Sequence, residues 1–262
     1  MSHLTCTIDN RVATITLDNA PQNRIGDQMV EELAAAIAQI ANSDARAVLL
    51  RGAGPDFSFG GDIRLWPDRS RSALRGTFER YMEVFNRFEQ LPLPVVAAVN
   101  GLCFGGGLEL ALRADVLFAS DTARFGHPEQ TLGIVTLLGG IYRVAERAGR
   151  ARAAEWALTS EQIPASVMER AGIVNRVVAD DELLAQAQAF VDKLAKGPTR
   201  AFAAHKALLR AWANGGVAAA DEIMFDIAMP VFDSQDATGG IASAVDALKA
   251  GKPRPSFPFK GA

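Results

Sequence analysis

Two glutamates, Glu109 and Glu129, have apolar sequence neighbours that predict burial of their carboxylates. Glu109 lies in "GGGLELALRA", where apolar neighbours indicate a buried helix face, and Glu129 precedes the apolar, glycine-containing "TLGIVTLLGG". Burial disfavours the charged form of a carboxyl group, so buried carboxyls often serve as acids or bases near neutral pH. Each glutamate alone is typical of a helix surface or a salt bridge, but the pair predicts a site of proton transfer.

Glycine turns at two places could supply hydrogen-bond donors that act together with such a pair. The glycines at 105–107 lead from an apolar strand pattern into the helix of Glu109, and a second turn, "FSFGGDI", contains Gly61. Backbone N–H groups at a helix start are unpaired and lie at the positive end of the helix dipole. Two donors from separate turns suit an oxyanion hole, for example around a thioester carbonyl. The alternative, that both turns only permit tight bends and close helix packing, stays open.

Other uses of glycine-rich turns fail on spacing. Gly101 and Gly106 have the spacing of a phosphate loop, but Gly107 and Leu108 follow where lysine and serine or threonine are needed. A dinucleotide fingerprint that starts at Gly105 would place Leu110 at the position of its last glycine. The sequence therefore predicts neither kind of nucleotide loop.

Composition indicates a globular protein with a small-molecule or protein partner. The 262 residues are 49% hydrophobic and carry a formal net charge of −3 without a basic stripe, so nucleic acid is not an expected partner. The two cysteines, Cys6 and Cys103, lack CxxC spacing, which favours a reducing compartment. His3, His127 and His205 are too scattered for a metal triad, so neither a metal nor a cofactor is expected.

No membrane segment is expected either. The first residues, "MSHLTCTIDN", lack the basic and apolar regions of a signal peptide, and a cytoplasmic location is the simplest interpretation. The apolar stretch 92–112 is interrupted by Asn100, the glycines and Glu109, so it predicts a strand, a turn and a helix.

Alternating apolar patterns predict an α/β core that positions these residues. A hairpin is indicated over 5–17, and helical periodicity runs from Asp27 to Ala41. Strand and helix signals then alternate. The predicted strands cover 46–52, 94–101 and 115–121, and the predicted helices cover 73–90 and 105–113.

Helical patterns dominate beyond residue 136. Alanine-rich helices are predicted over 143–159, 181–196, 199–213 and 217–229. A short helix with a capping box at Ser166 and Glu169 and a stop at Gly172 precedes the one clear strand signal, "GIVNRVV". Three prolines make the last eleven residues irregular. We expect a core over 1–195 and a helical region with an irregular tail over 196–262.

The motifs together resemble the crotonase family of enoyl-CoA hydratases and isomerases. "FSFGGD", "GLCFGGGLELALRAD", "RFGHPEQTLGI" and "LLGG" occur in that order, and the resemblance runs nearly end to end. It implies an α/β spiral of ββα units with a helical C-terminal region that builds homotrimers, often paired into hexamers. It also implies an acyl-CoA thioester substrate, with no metal or redox cofactor, no nucleic acid and no membrane.

The resemblance assigns roles to the glycines and glutamates. Gly61 and Gly106 would donate the two N–H groups that polarise the thioester carbonyl. Glu109 would act mainly as the base toward water, and Glu129 would protonate C2. Isomerases of the family typically keep only the second glutamate, so the pair predicts reversible syn hydration of a 2-enoyl-CoA.

Other site residues follow from the same resemblance. Those expected to contact the CoA or acyl part are Phe59, Asp62, Ile63, Arg64, Gly105 and Pro128. Phe59, His127 and the stretch "GIVTLLGGIYR" depart from the usual hydratase pattern around the acyl pocket, and pocket residues around Phe59, His127 and Thr136 would discriminate between reactions of the family. His127 is expected to be a hydrogen-bonded turn histidine, with an extra acid or base as the alternative. Isomerisation, thioester hydrolysis, carbon–carbon cleavage and a non-catalytic binding role stay open.

Overall fold

The computed structural model describes residues 2–262 and begins with the predicted hairpin. Strands β1 (Leu4–Asp9) and β2 (Val12–Leu17) pair antiparallel. Asn10 and Arg11 between them have φ values of 49° and 65°, the positive values that a two-residue type I′ turn requires. The hairpin prediction is confirmed.

Four further strands extend β2 into a parallel sheet in the order β1-β2-β3-β4-β6-β9. They are β3 (Ala47–Gly52), β4 (Val95–Val99), β6 (Val116–Ser120) and β9 (Arg176–Val178). Every residue of β4 is buried, because helices cover both faces of the sheet, as parallel sheets require. The α/β class predicted from the alternating pattern is confirmed.

The two faces of the sheet pack against different helices. Helices α1 (Asp27–Ala41) and α2 (Arg71–Glu89) share one apolar cluster with alternate sheet residues such as Val95 and Ala97. Helix α7 (Leu183–Ala195) packs with Val96 and Ala98 on the opposite face. The bounds of α1 match the prediction, and α2 begins two residues earlier than predicted.

A second sheet of three short strands adjoins the candidate site. It consists of β5 (Leu102–Phe104), β7 (Arg124–Gly126) and β8 (Ile163–Pro164), in the order β5-β7-β8. Helix α3 (Gly106–Ala111) follows β5 almost directly. These strands were not expected, since two or three residues give no readable alternation.

The helices after residue 139 differ in part from the expectations. The predicted helix over 143–159 is two helices, α4 (Gly140–Ala148) and α5 (Arg150–Thr159), because Gly149 between them has φ 86° and ψ 154°. A side chain rarely adopts that conformation and a helix cannot continue through it.

The predicted capping box is wrong. Helix α6 runs from Ala165 to Arg170, so Ser166 lies inside its first turn instead of before it. The Glu169 carboxylate accepts a hydrogen bond from the Val177 N–H at 3.1 Å and does not reach back to the helix start. Gly172, with φ 80°, follows the helix end as predicted.

The C-terminal region contains two further helices. Helix α8 (Thr199–Phe232) is interrupted by non-helical backbone at Gly216, which accounts for the two helices predicted there. Helix α9 (Gln235–Lys249) was not predicted, and the tail after it is irregular as expected. The division between residues 195 and 196 stays a prediction. Within residues 2–262, no helix is both long enough and apolar enough to cross a membrane.

Candidate active site

Glu109 is fixed by its helix and by a segment about thirty residues further along the chain. All six residues of α3 are buried. The Oε1 atom of Glu109 accepts hydrogen bonds from the Leu138 N–H at 2.8 Å and the Gly140 N–H at 2.9 Å. The burial predicted from the "LALRA" pattern is confirmed, and two backbone donors compensate the carboxylate for lost hydration.

Opposing influences set the pKa of Glu109. Burial raises it above the ordinary value, while the two backbone N–H groups and the positive charges of Arg113 and Arg143 act in the other direction. The Arg113 side chain is buried and donates to the Leu138 carbonyl at 2.8 Å. Leu138 is therefore held at both its N–H and its C=O, by Glu109 and Arg113 respectively.

Glu129 has a contrasting environment. It lies in a short 3-10 helix, Pro128–Leu132, directly after His127. Burial, followed by repulsion from Glu109, raises the pKa of Glu129 to about 7. Within residues 2–262, its Oε2 atom is buried without a hydrogen-bond partner. Near neutral pH this carboxyl is therefore divided between its protonated and ionised forms.

Gly105 makes room for Glu129. Its φ is 47°, and a Cβ added there would lie 2.9 Å from Glu129 Oε1. The conformation and the close approach together require glycine at this position. The structure thus brings Gly105 and Glu129, both predicted site residues, into contact.

His127 also faces the two glutamates. Its side chain is 2% exposed, and its Nδ1 atom lies 3.9 Å from Glu129 Oε2. A Cβ added to Gly140 would lie 2.7 Å from His127 Cε1 and 2.9 Å from Glu109 Cγ, so both side chains pack against this one glycine. Burial lowers the pKa of His127 to about 4, so the ring is neutral at pH 7.

The expectation of a hydrogen-bonded turn histidine is wrong for the side chain of His127. Among the described residues, 2–262, neither ring nitrogen has a hydrogen-bond partner. Only the backbone carbonyl is bonded, by the Ser160 hydroxyl at 2.7 Å. The ring was predicted to bond locally because it stands beside a proline turn, but the turn directs it toward Glu109 and Glu129.

The two predicted glycine turns meet. Gly60 has φ 91°, and a Cβ there would lie 2.7 Å from the Phe104 carbonyl oxygen. The Gly61 nitrogen lies 3.5 Å from the position of a Cβ on Gly106. No hydrogen bond among residues 2–262 has the N–H of Gly61 or Gly106 as its donor. Both donors are thus available to an acceptor at the meeting point of the turns.

The residues predicted to contact substrate lie on both sides of these turns. The Phe59 ring packs edge-to-face on Phe104, with centroids 5.7 Å apart. The Arg64 guanidinium pairs with Asp62, at 2.5 Å between Nη2 and Oδ2, and is 74% exposed. Ile63 is partly exposed beside them. Pro128 begins the 3-10 helix of Glu129.

Three features around the candidate site were not predicted from the sequence. Arg24 stands 5.6 Å from the Phe59 ring centroid and lines a cavity of about 170 Å³ together with Arg64. An apolar groove of about 690 Å³ follows α2 and reaches Leu137. Leu138 and Gly140 hold Glu109, but they stand too far along the chain for local patterns to reveal this. The groove is lined by Arg71, Leu74, Arg75, Phe78, Glu79, Met82, Glu83, Asn86 and Leu137.

The sequence model of the enoyl-CoA hydratase/isomerase family matches residues 7–249. The chain belongs to the enoyl-CoA hydratase/isomerase family. A probable enoyl-CoA hydratase of Mycobacterium bovis is 37% identical over 185 residues, which cover 69% of this chain and 70% of that protein. The short-chain-enoyl-CoA hydratase of Clostridium acetobutylicum is 36% identical over 190 residues, 71% of this chain and 72% of that protein.

Solved structures agree with this membership. The crystal structure of an enoyl-CoA hydratase from Bacillus anthracis superposes with a TM-score of 0.89 at 27% identity, covering 99% of this chain and 100% of the other. The crotonase fold expected from the sequence motifs, with its helical C-terminal region, is confirmed. Family membership also makes this hydratase/isomerase homologue an enzyme of the acyl-CoA thioester class.

In this hydratase/isomerase family member, the structure therefore unites the predicted glutamates and the predicted glycine turns in one region. The roles assigned to individual residues stay predictions. Residues 2–262 contain no group of three or more His, Cys, Asp or Glu side chains arranged to hold a metal ion. The expectation that neither a metal nor a cofactor takes part likewise stays a prediction.

Proposed function

We propose that this protein catalyses the reversible syn addition of water to a 2-enoyl-CoA thioester. The observation that carries the proposal is a pair of interacting carboxyls, buried Glu109 and half-buried Glu129, that differ in their polar partners. Burial raises the pKa of Glu109, and two N–H groups and two arginines oppose this effect, whereas one backbone hydrogen bond opposes it at Glu129, whose pKa rises to about 7. Two carboxyls with such different polar partners are suited to act as base and acid.

Each carboxyl then has one task. Glu109 accepts a proton from water, whose oxygen adds to C3 of the enoyl group. The electron pair of the C2–C3 double bond moves toward the thioester carbonyl, and Glu129 gives its proton to C2. The product is a 3-hydroxyacyl-CoA, and the reverse steps dehydrate it.

The glycine turns support the same reaction. The thioester oxygen gains negative charge when water adds to C3, and the free N–H groups of Gly61 and Gly106 would stabilise that charge. Losing one such donor commonly costs about 2.7–4 kcal/mol of activation barrier. The donors are preorganised because close backbone contacts hold both turns.

The ends of the substrate have candidate positions. Arg24 and Arg64 share a cavity beside the first turn, so we place the CoA phosphates there. Asp62 and Ile63 would shape the path of the CoA, and Phe59 would line the way to the acyl group. The apolar groove along α2 would take the distal acyl chain, because it reaches Leu137 next to the residue that holds Glu109.

Isomerisation and hydrolysis on the same scaffold are the alternatives. Hydration is favoured because the two glutamates interact at one centre, whereas moving a double bond needs only one group to shuttle the proton. A non-catalytic binding role is disfavoured, since a purely binding surface has no need of two desolvated carboxyls.

Mass spectrometry tests the proposal directly. A panel of straight-chain, branched and aromatic 2-enoyl-CoA esters is incubated with the protein in ¹⁸O-labelled water. We expect one or more esters to gain a single labelled water. Movement of the double bond without water gain supports isomerisation, and free CoA supports hydrolysis. If every ester stays unchanged, this result contradicts an enzymatic role on this panel.

Dialysis against EDTA before the assay tests the proposal that no metal takes part, which predicts full activity.

Assembly into trimers or hexamers, and a cytoplasmic location, are also proposed. Apolar side chains in the second half of α8 support assembly: Phe225, Met229 and Phe232 are each more than half exposed in the isolated chain. Packing within the chain does not account for these three residues. Light scattering tests assembly, and a monomeric mass would contradict it.

A further inference from the structure

His127 is a buried polar side chain whose hydrogen-bonding capacity is unused. Its ring is 2% exposed, and among residues 2–262 both ring nitrogens lack a partner. Buried polar groups in native proteins are nearly always hydrogen-bonded, so each exception calls for an explanation. A histidine with only a packing role would be replaceable by an apolar residue at lower free-energy cost.

A neighbouring polar atom is unpaired as well. Glu129 Oε2 lies 3.9 Å from His127 Nδ1 and has no partner among residues 2–262. This separation exceeds the roughly 2.7–3.2 Å of a direct N–H···O hydrogen bond. It is short enough for one oxygen atom to contact both, since two contacts of about 2.8 Å would meet there at an angle of about 90°.

The position of the ring also places it at the reacting centre. Gly140 separates His127 from Glu109, because a Cβ on this glycine would touch both side chains. An oxygen atom held between Nδ1 and Glu129 Oε2 would thus lie beside the two carboxyls that carry the proposed proton transfers. The reacting water is the oxygen that such a position suits.

We propose that His127 is a third polar partner of the reacting water, and that its Nδ1 atom, together with Glu129, holds the oxygen that is added to C3. This inference rests on the proposed hydratase function. A neutral imidazole has one nitrogen with a free lone pair. With Nδ1 as that nitrogen, it accepts the second hydrogen of the water while Glu109 takes the first, which leaves a lone pair of the oxygen directed at C3.

Three substitutions separate this role from packing. His127→Leu removes both nitrogens, His127→Asn keeps a polar atom near the position of Nδ1, and His127→Gln places one near that of Nε2. For each variant we would measure kcat and KM for hydration on the best ester of the panel, the Kd of the corresponding saturated acyl-CoA, and the unfolding temperature. The saturated ester binds without consuming water, so its Kd reports on the pocket alone.

We expect His127→Leu to lower kcat by about 10- to 100-fold, as for loss of a hydrogen bond near a charged group, with little change in the Kd of the saturated ester. His127→Asn should recover more activity than His127→Gln. A kcat within twofold of wild type for His127→Leu overturns the proposal, as does better rescue by glutamine. A parallel loss of affinity for the saturated ester would assign only a structural role.

Failure of this inference is distinguishable from failure of the hydratase proposal. If the wild-type protein adds no water to any ester, the proposed function fails first and this role fails with it. If the wild-type protein hydrates esters and His127→Leu does so equally well, only the role of His127 is overturned. A loss restricted to esters with a polar substituent on the acyl chain would likewise overturn it, since His127 would then contact substrate instead of water.

Discussion

Helix α3, which carries Glu109, and the segment 128–137, which carries Glu129, differ in how completely the surrounding chain holds them. Every residue of α3 is buried, and the Glu109 carboxylate has two backbone donors. The other segment begins with a 3-10 helix and leaves Leu132 and Val135 more than half exposed. Glu109 is buried and Glu129 is half-buried, and the two carboxyls differ in the number of their polar partners.

Burial alone therefore does not define the catalytic role of a carboxyl group. Burial raises the pKa of both glutamates. Two backbone donors and two arginines oppose this effect at Glu109, whereas one backbone hydrogen bond opposes it at Glu129. In the proposed reaction the first carboxyl receives a proton and the second gives one.

The largest expected effect comes from Glu109→Gln. The amide keeps the shape and an acceptor for the N–H groups of Leu138 and Gly140, but it cannot accept a proton from water. We expect kcat for hydration to fall by about 10²–10⁴-fold, with an unchanged fold by circular dichroism. Steady-state kinetics of the purified variant give the answer, and turnover within tenfold of wild type would remove Glu109 from the role of base.

Glu129→Gln should lower hydration by a similar factor, and it also tests the contrast in pKa. The ordinary pKa near 4.5 rises to about 7 on folding, so between these values the unfolded chain has lost a proton that the folded protein keeps. The free energy of unfolding of the wild type should therefore decrease as the pH rises from about 4.5 to 7, by at most about 3 kcal/mol.

The variant should lack this contribution. Urea unfolding of both proteins across that pH range measures it, and the difference between their stabilities should change in favour of Glu129→Gln as the pH increases. Parallel curves would mean that folding does not raise the pKa of Glu129.

The pH dependence of hydration follows from the same contrast. The proposed mechanism requires ionised Glu109 and protonated Glu129, so kcat/KM should decline as the pH rises above about 7. Because the two carboxyls interact, the measured values belong to the pair. A rate profile from pH 5 to 9 at constant ionic strength tests this, and a rate that still increases at pH 9 would contradict the role of Glu129 as acid.

Gly140→Ala should disturb the surroundings of both Glu109 and His127, and it should lower kcat less than the two glutamate variants do. Its backbone does not have a positive φ, so the cost comes from the methyl group, which would lie within 3 Å of His127 Cε1 and Glu109 Cγ. Displacing Glu109 by a few tenths of an ångström or more should lower kcat by about 10- to 100-fold.

Gly76→Ala is the matched control for that substitution. Gly76 lies in the exposed part of α2, and a Cβ there has no other atom within 4 Å. Alanine should raise the stability by about 0.5–1 kcal/mol and leave kcat unchanged. Equal activity of the two alanine variants would show that Gly140 is not needed for the geometry of Glu109.

Arg64→Ala should have the smallest effect. The guanidinium is mostly exposed and, within residues 2–262, is paired only with Asp62, so its proposed contact with CoA phosphate would be weak. We expect the KM of the CoA ester to rise about two- to fivefold with kcat unchanged. The N-acetylcysteamine thioester of the same acyl group, which lacks the phosphates, should show no change; an equal rise for both esters would exclude a phosphate contact.

The sequence predicted the long elements of the fold well and the short ones poorly. Helix α1 has the predicted bounds, because Met29, Leu33, Ile37 and Ile40 repeat at helical spacing over four turns. Strands β5, β7 and β8 are too short for any period to be detected. Helix α9 was missed because its glycines at 239–240 and its charged residues weaken the helical signal.

The site was predictable where it depends on neighbouring residues in the sequence. The apolar neighbours of Glu109 predicted its burial, and the glycine turns predicted free N–H groups. The partners of Glu109 come from Leu138 and Gly140, which no local pattern connects to it. The side chain of His127 was wrongly expected to be bonded, since only the three-dimensional packing shows which groups its ring faces.

The double attachment of Leu138 has a consequence for engineering. Its N–H is bound by Glu109 in helix α3, and its C=O is bound by Arg113, which lies two residues after the end of that helix. Residues 130–137 lie between Glu129 and this anchor. If the proposed function holds, we expect that their length and composition can be redesigned for larger, branched or aromatic acyl groups, while Leu138 keeps Glu109 where helix α3 places it.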